Sequence, residues 1–147
     1  MSCNEVYAIV ERIDTSKRRI GRSAYSSASE NNEKDFLKWL NKISPDLENS
    51  LSGYIAFSKI ANGLNYNGLF IYSITPGDKH SIYSTNEEWW DVEEQKKYLF
   101  FADDSISWYC QEISSGAFYV LDRPSGEKME QHQTFDELLC SALNAAL

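Results

Sequence analysis

Apolar positions along this chain recur first at helical spacing, then at strand spacing, then again at helical spacing. Val6, Ile9, Val10 and Ile13 follow a Ser2/Glu5 pair with the spacing of a capping box, and together they predict a first helix over 3–14. The stretch 15–32 is rich in Ser, Lys, Arg and Asn, has little period, and reads as a loop or connector. Over 33–43, Phe36, Leu37, Leu40 and Ile43 share one face, with Trp39 beside them, and predict a second amphipathic helix. Ser44-Pro45 closes it and can open another, since Pro suits a first helical turn. Leu51, Tyr54, Ile55 and Ser58 carry that period on to a stop at Asn62-Gly63.

After Asn67-Gly68 the period changes. Residues 69–74 read as a buried strand closed by Pro76-Gly77. Thr85 with Glu88 has capping-box spacing and predicts a short helix over 87–97, acidic at its start and basic at its end, which complements the helix dipole. Strand-like runs follow at 98–101, 106–113 and 117–121, with Ser114-Ser115-Gly116 as a hairpin turn and 128–131 as a short edge strand. Thr134 with Glu137 caps a last helix whose stripe is Phe135, Leu138, Leu139, Ala142, Leu143 and Ala146. Helices at both ends and hairpins between them predict an α+β fold, an antiparallel sheet flanked by N-terminal and C-terminal helices. The whole of 1–147 reads as a single domain, with 1–32 as an N-terminal helix and connector and 33–147 as the core.

Composition adds partners and compartment to this picture. Apolar residues make up 42% and charged residues 24%, which is globular rather than disordered usage. No apolar run reaches the roughly 18 residues that span a bilayer, and Met1 to Glu5 do not resemble the start of a secretory signal. Cys3, Cys110 and Cys140 fit neither a disulfide framework nor a zinc spacing, so a cytoplasmic protein with reduced thiols and no membrane partner is expected. The net charge of −8 is unevenly placed: residues 1–47 hold eight Lys/Arg against seven Asp/Glu, a balance of +1, and residues 48–147 hold six against fifteen, a balance of −9. An acidic body repels phosphate, which argues against direct nucleic-acid binding and for a basic partner.

Catalytic signals are sparse. His80 and His132 lie in polar segments expected to be exposed, and neither belongs to a recognisable triad motif. Residues 63–68 have neither the glycine spacing nor the strand-to-helix setting of a dinucleotide fingerprint. Asp103 and Asp104 follow a strand and read either as a strand-end turn or as half of a cation site, though no calcium-loop spacing surrounds them. No catalytic residue, cofactor or metal is assigned on this basis.

The most distinctive segment is Asn86-Glu87-Glu88-Trp89-Trp90-Asp91-Val92-Glu93-Glu94, in which five carboxylates surround two tryptophans. Successive helical residues point about 100° apart, so one tryptophan is expected in the core and the other near the surface beside charge. Aromatic anchors rimmed by charge are common at binding hot spots. The expected partner-binding residues are therefore Glu87, Glu88, Trp90, Asp91, Glu93 and Glu94, together with Asp103 and Asp104. The bland alternative is a pair of core tryptophans beneath a solvated acidic face.

Residues 54–74, from Tyr54-Ile55-Ala56-Phe57 through Asn62-Gly63-Leu64 and Asn67-Gly68 to Tyr72-Ser73-Ile74, resemble the helix, Asn-Gly, strand signature of the SUKH superfamily. So does the later succession of Tyr98-Leu99-Phe100-Phe101-Ala102-Asp103-Asp104, Ser107-Trp108-Tyr109, Phe118-Tyr119-Val120-Leu121-Asp122 and Thr134-Phe135-Asp136-Glu137-Leu138-Leu139. The resemblance covers residues 33–147 and is nearest to bacterial immunity proteins, relatives of the yeast cell-wall-assembly regulators. Ala102 stands where many relatives have glycine. The resemblance implies an α+β fold and a cytoplasmic, non-catalytic protein that binds and neutralises a cognate toxin domain, often a nuclease with a basic surface. A regulatory interaction scaffold and a hydrolase with an unrecognised site are the alternatives.

Overall fold

In the computed structural model the backbone is described from Cys3 to Leu147 and the side chains from Glu5 onward, so the Ser2/Glu5 capping pair and the Cys3 thiol lie outside the described residues. Among the described residues there are five α-helices: α1 (Cys3–Arg18), α2 (Glu30–Ile43), α3 (Ser52–Ala61), α4 (Ile82–Trp89) and α5 (Phe135–Ala146). Six strands, β1 (Asn65–Tyr66), β2 (Leu69–Ile71), β3 (Tyr98–Asp103), β4 (Ser107–Glu112), β5 (Phe118–Asp122) and β6 (Lys128–His132), form one open antiparallel meander in chain order. The fold is α+β, with helices flanking the sheet.

Strands β3, β4 and β5 are buried at nearly every position, Gln111 included, because both faces of the sheet are covered. On one face Phe101 and Phe118 pack on Phe135 of α5, and Tyr54 of α3 meets Phe101 and Phe135, with ring centroids 5.2–6.4 Å apart. On the other, Phe100 meets Tyr98 and Trp108 beneath α4 and the chain that follows it. Gly53 lets α3 approach α5 closely, since a Cβ there would lie 2.8 Å from an oxygen of Asp136. Asn67 and Gly68, with φ of 49° and 86°, form the two-residue turn of the β1–β2 hairpin, as this dipeptide favours.

Three expectations are corrected. The first helix runs to Arg18, and the connector after it is tied down: buried Asp14 accepts from the Ala24 N–H at 2.8 Å and the Ser23 hydroxyl at 2.9 Å, while Ser26 bridges to α3. These bonds, Ala24 first, hold the Asp14 carboxyl below its ordinary value. Val6, Ile9, Val10 and Ile13 join the same core as the sheet, so α1 is integral to it. The Pro45 stretch is a 3-10 helix, Pro45–Leu51, before α3 begins. The expected helix over 87–97 lies earlier. Ser81, with extended φ and ψ of −73° and 153°, caps α4 through the Ser84 N–H, and Thr85 is buried inside the helix instead of capping it. Val92 is extended, and Glu93–Lys97 is a separate 3-10 turn.

Candidate functional site

Asn86 determines where the tryptophans stand. Fully buried, it donates through Nδ2 to the carbonyls of Ile82 and Phe100 at 2.7 and 2.9 Å, and its Oδ1 accepts from the Phe100 N–H at 2.8 Å. It serves the backbone of β3 where β2 has ended, as a neighbouring strand would. Trp89 and Trp90 leave the end of α4 from this anchor, both partly buried and both with the indole N–H occupied. Trp89 donates to the Tyr72 hydroxyl at 3.0 Å and meets Trp108 edge-on at 5.5 Å. Trp90 donates to the Tyr98 carbonyl at 2.7 Å and stacks on Trp39 of α2, with centroids 5.9 Å apart and planes 13° from parallel. The tryptophans therefore divide between two aromatic clusters, not between core and surface.

Beside the Trp39–Trp90 stack lies a cleft of about 760 Å³. Asp35 and Trp39 come from α2, Asp78 and Lys79 from the loop after β2, and Tyr83 and Glu87 from α4, which sets three carboxylates against one ammonium. Tyr83 meets Trp39 edge-on at 5.2 Å and donates to the Ile74 carbonyl at 2.9 Å; burial and then Asp35 push its phenol well above the ordinary value. Sequence reasoning missed Asp35, Trp39, Asp78 and Tyr83. The available signal was Trp39 at the margin of an apolar stripe, flanked by Lys38.

Of the residues expected to bind a partner, Glu87 lines this cleft and Trp90 backs its aromatic wall. Glu88, Asp91, Glu93 and Glu94 are exposed along the same stretch, and Glu93 pairs with Lys96 at 2.9 Å. With the helix boundary corrected, Glu87 and Glu88 occupy the last turn of α4, where carboxylates oppose the helix dipole instead of complementing it.

Asp103 and Asp104 lie elsewhere and are engaged within the fold. Asp104 accepts from the N–H groups of Ile106 and Ser107 at 2.9 and 2.7 Å and from the Tyr109 hydroxyl at 2.9 Å, which builds the β3–β4 turn. Asp103 accepts from the Tyr72 hydroxyl and pairs with Arg123 at 3.3 Å. Burial raises its carboxyl above the ordinary value, against the opposing pull of Tyr72, Arg123 and His80. The Arg123 guanidinium covers the rings of Trp89 and Trp108, 5.1 and 5.5 Å from their centroids.

A second, more enclosed cleft of about 360 Å³ lies between the 92–97 segment and the β5–β6 loop, lined by Val92, Gln95, Tyr98, Trp108, Leu121 and Pro124 among others. Among the described residues the Gln95 Oε1 and the Trp108 indole N–H, both sealed from solvent, find no hydrogen-bond partner. Such an unpaired group costs about 1–3 kcal/mol.

Both histidines are half-buried, not exposed as expected. His80 stacks on Phe70 at 4.2 Å. His132 approaches Glu130 at 2.9 Å, and the Ser141 hydroxyl donates to that same Glu130 oxygen at 2.8 Å. The carboxylate thus stands between serine and histidine, which is not the nucleophile–base order of a triad. Burial pushes the Cys110 thiol well above its ordinary value. Among the described residues no group of three or more His, Cys, Asp or Glu side chains could hold a metal ion, and no helix is long and apolar enough to cross a membrane. No family model matches the chain, and no curated protein matches it.

Proposed function

We propose that the chain is an immunity protein of the SUKH type, which binds and neutralises a basic toxin domain. The observation that carries this reading is the acidic stretch from Glu87 to Glu94, exposed beside a cleft walled by Trp39 and Tyr83. Clustered carboxylates steer a cationic partner toward the surface, and half-buried aromatic rings supply contact area once it arrives. A nuclease toxin holds phosphates on a basic surface, so an acidic binder can occupy the same place. Glu87 and Glu88 also sit against the dipole of α4, which fits residues kept for binding instead of for the helix.

The test is co-expression with the product of the adjacent gene. A 1:1 complex, protection of the host cell, and association that slows as salt rises are the expected results. Absence of both complex and protection overturns the reading.

A further inference from the structure

We infer that the C-terminal end of α1, residues 17–22 with Arg12 one turn and more behind them, docks on a membrane surface that carries anionic lipid headgroups. Between 12 and 22 stand five cations, Arg12, Lys17, Arg18, Arg19 and Arg22, against one acid, Asp14, in a chain whose net charge is −8. Arg18 is neutralised within the fold by Asp14 at 2.7 Å and Glu11 at 3.3 Å. Among the described residues the other four pair with no carboxylate. The turn that ends α1 crowds two of them. Gly21, at φ of 76°, gives its N–H to the Arg18 carbonyl at 3.1 Å, and Arg22 gives its N–H to the Lys17 carbonyl at 2.9 Å. Helices closed in this way frequently place an apolar contact at the two positions that Lys17 and Arg22 hold here. Burial first, and then Arg22, holds the Lys17 ammonium below its ordinary value, with Tyr66 pulling the other way. An anion relieves two cations held together without a counter-ion.

The apolar residue at the tip chooses among anions. The dipole of α1 accounts for cations at its last turn, but not for Ile20, which is 73% exposed between Arg19 and Gly21. A Cβ built on Gly21 would meet nothing within 4 Å, so the tip projects into open space. Tyr25, 43% exposed, stands alongside, its hydroxyl bonded to Glu11, the partner of Arg18. Nucleic-acid phosphates would use the cations and leave the isoleucine in water. The boundary of headgroups and acyl chains takes both, cations at the phosphates and an apolar side chain just beneath them. The acidic stretch does not stand in the way. Helix α1 packs on α5, and α5 on the Phe101–Phe118 face of the sheet, whereas α4 lies over the Phe100 face and leads into the acids of 87–94. Charge is screened over about 8 Å at physiological ionic strength, less than the width of one helix with its side chains. A chain that lies on a membrane needs no spanning helix, and the inference stands whether or not the toxin reading does.

The experiment sediments the full chain with vesicles of phosphatidylcholine alone and with vesicles of phosphatidylcholine and phosphatidylglycerol in equal parts. Binding to the anionic vesicles is expected, reversed by high salt, with none to the neutral ones. Each cation near such a surface contributes about fivefold, so Arg19→Gln with Arg22→Gln should weaken binding about 25-fold. Lys34→Gln with Lys42→Gln makes the same change of charge on α2 and should weaken it less than about threefold. Ile20→Ser should weaken vesicle binding about threefold. All five side chains are exposed, so the variants are expected to fold. No binding to the anionic vesicles at low salt, equal losses in the two double variants, or indifference to Ile20→Ser would each overturn the inference. So would tighter binding to a short DNA duplex than to the anionic vesicles, or self-association without vesicles that Arg19→Gln with Arg22→Gln abolishes.

Discussion

Asp104 accepts three hydrogen bonds from its own chain, whereas Glu88, on the last turn of α4, faces water. Both lie in acidic, aromatic-rich stretches that look alike as strings of letters. The difference lies in what surrounds the oxygens. At the β3–β4 turn, backbone N–H groups and Tyr109 converge on the carboxylate, so the charge organises the fold. Along 87–94 the carboxylates are exposed, and the two that α4 carries, Glu87 and Glu88, oppose its dipole, so this charge is open to a partner. Charge used for folding and charge available for binding can thus sit within a short stretch of one chain.

The comparison breaks most visibly in stability. Asp104→Ala should cost about 3 kcal/mol in urea denaturation, because hydrogen bonds to an ionised acceptor are lost and two N–H groups of the turn lose their partner. Asp91→Ala should stay within about 0.5 kcal/mol of the wild type. Similar losses in the two variants would erase the distinction between the regions.

A pH series sharpens it further. The folded chain holds the Asp103 proton more tightly than the unfolded chain does, because burial raises that carboxyl above 3.8. Its contribution is present below that value and is lost as pH rises through the raised folded value. Stability of Asp103→Asn should therefore fall less than wild type across that interval. Asp14, held below 3.8 by the Ala24 N–H first, has the opposite sign: its contribution is present above 3.8 and is lost as pH falls through the lowered value. Identical pH profiles for wild type and Asp103→Asn would remove Asp103 from this account. The smallest effect expected is a gain. Glu88→Lys places a cation at the C-terminal end of α4 and should stabilise the fold by about 0.3–1 kcal/mol in the same denaturation assay. A loss would mean that Glu88 has a structural role.

The elements whose signals are local were legible. The Phe36/Leu40 face of α2, the Asn67-Gly68 turn, the Thr134 cap and the stripe of α5 depend on neighbours within a few residues, and the sequence carries those neighbours. The start of α4 was not legible, because Thr85/Glu88 satisfied the same local rule that Ser81 satisfies. Burial of Ile82, Thr85 and Asn86 beneath β3 decided between them. The acids of 87–94 could be seen in the sequence, but not that two of them end a helix while others begin a 3-10 turn.

By itself, then, the sequence determined the order of helices and hairpins, the acidic bias of residues 48–147, and the identity of the exposed carboxylates from Glu87 to Glu94. Only the tertiary structure decided that Trp90 stacks on Trp39, that Asp103 meets Arg123 and Tyr72, and that Gln95 and Trp108 line one cleft. Periodicity and turn chemistry act over a few bonds of the chain. These pairings join residues far apart in sequence, and they exist because packing α4 and the chain after it on the sheet leaves each ring and carboxylate few places to go.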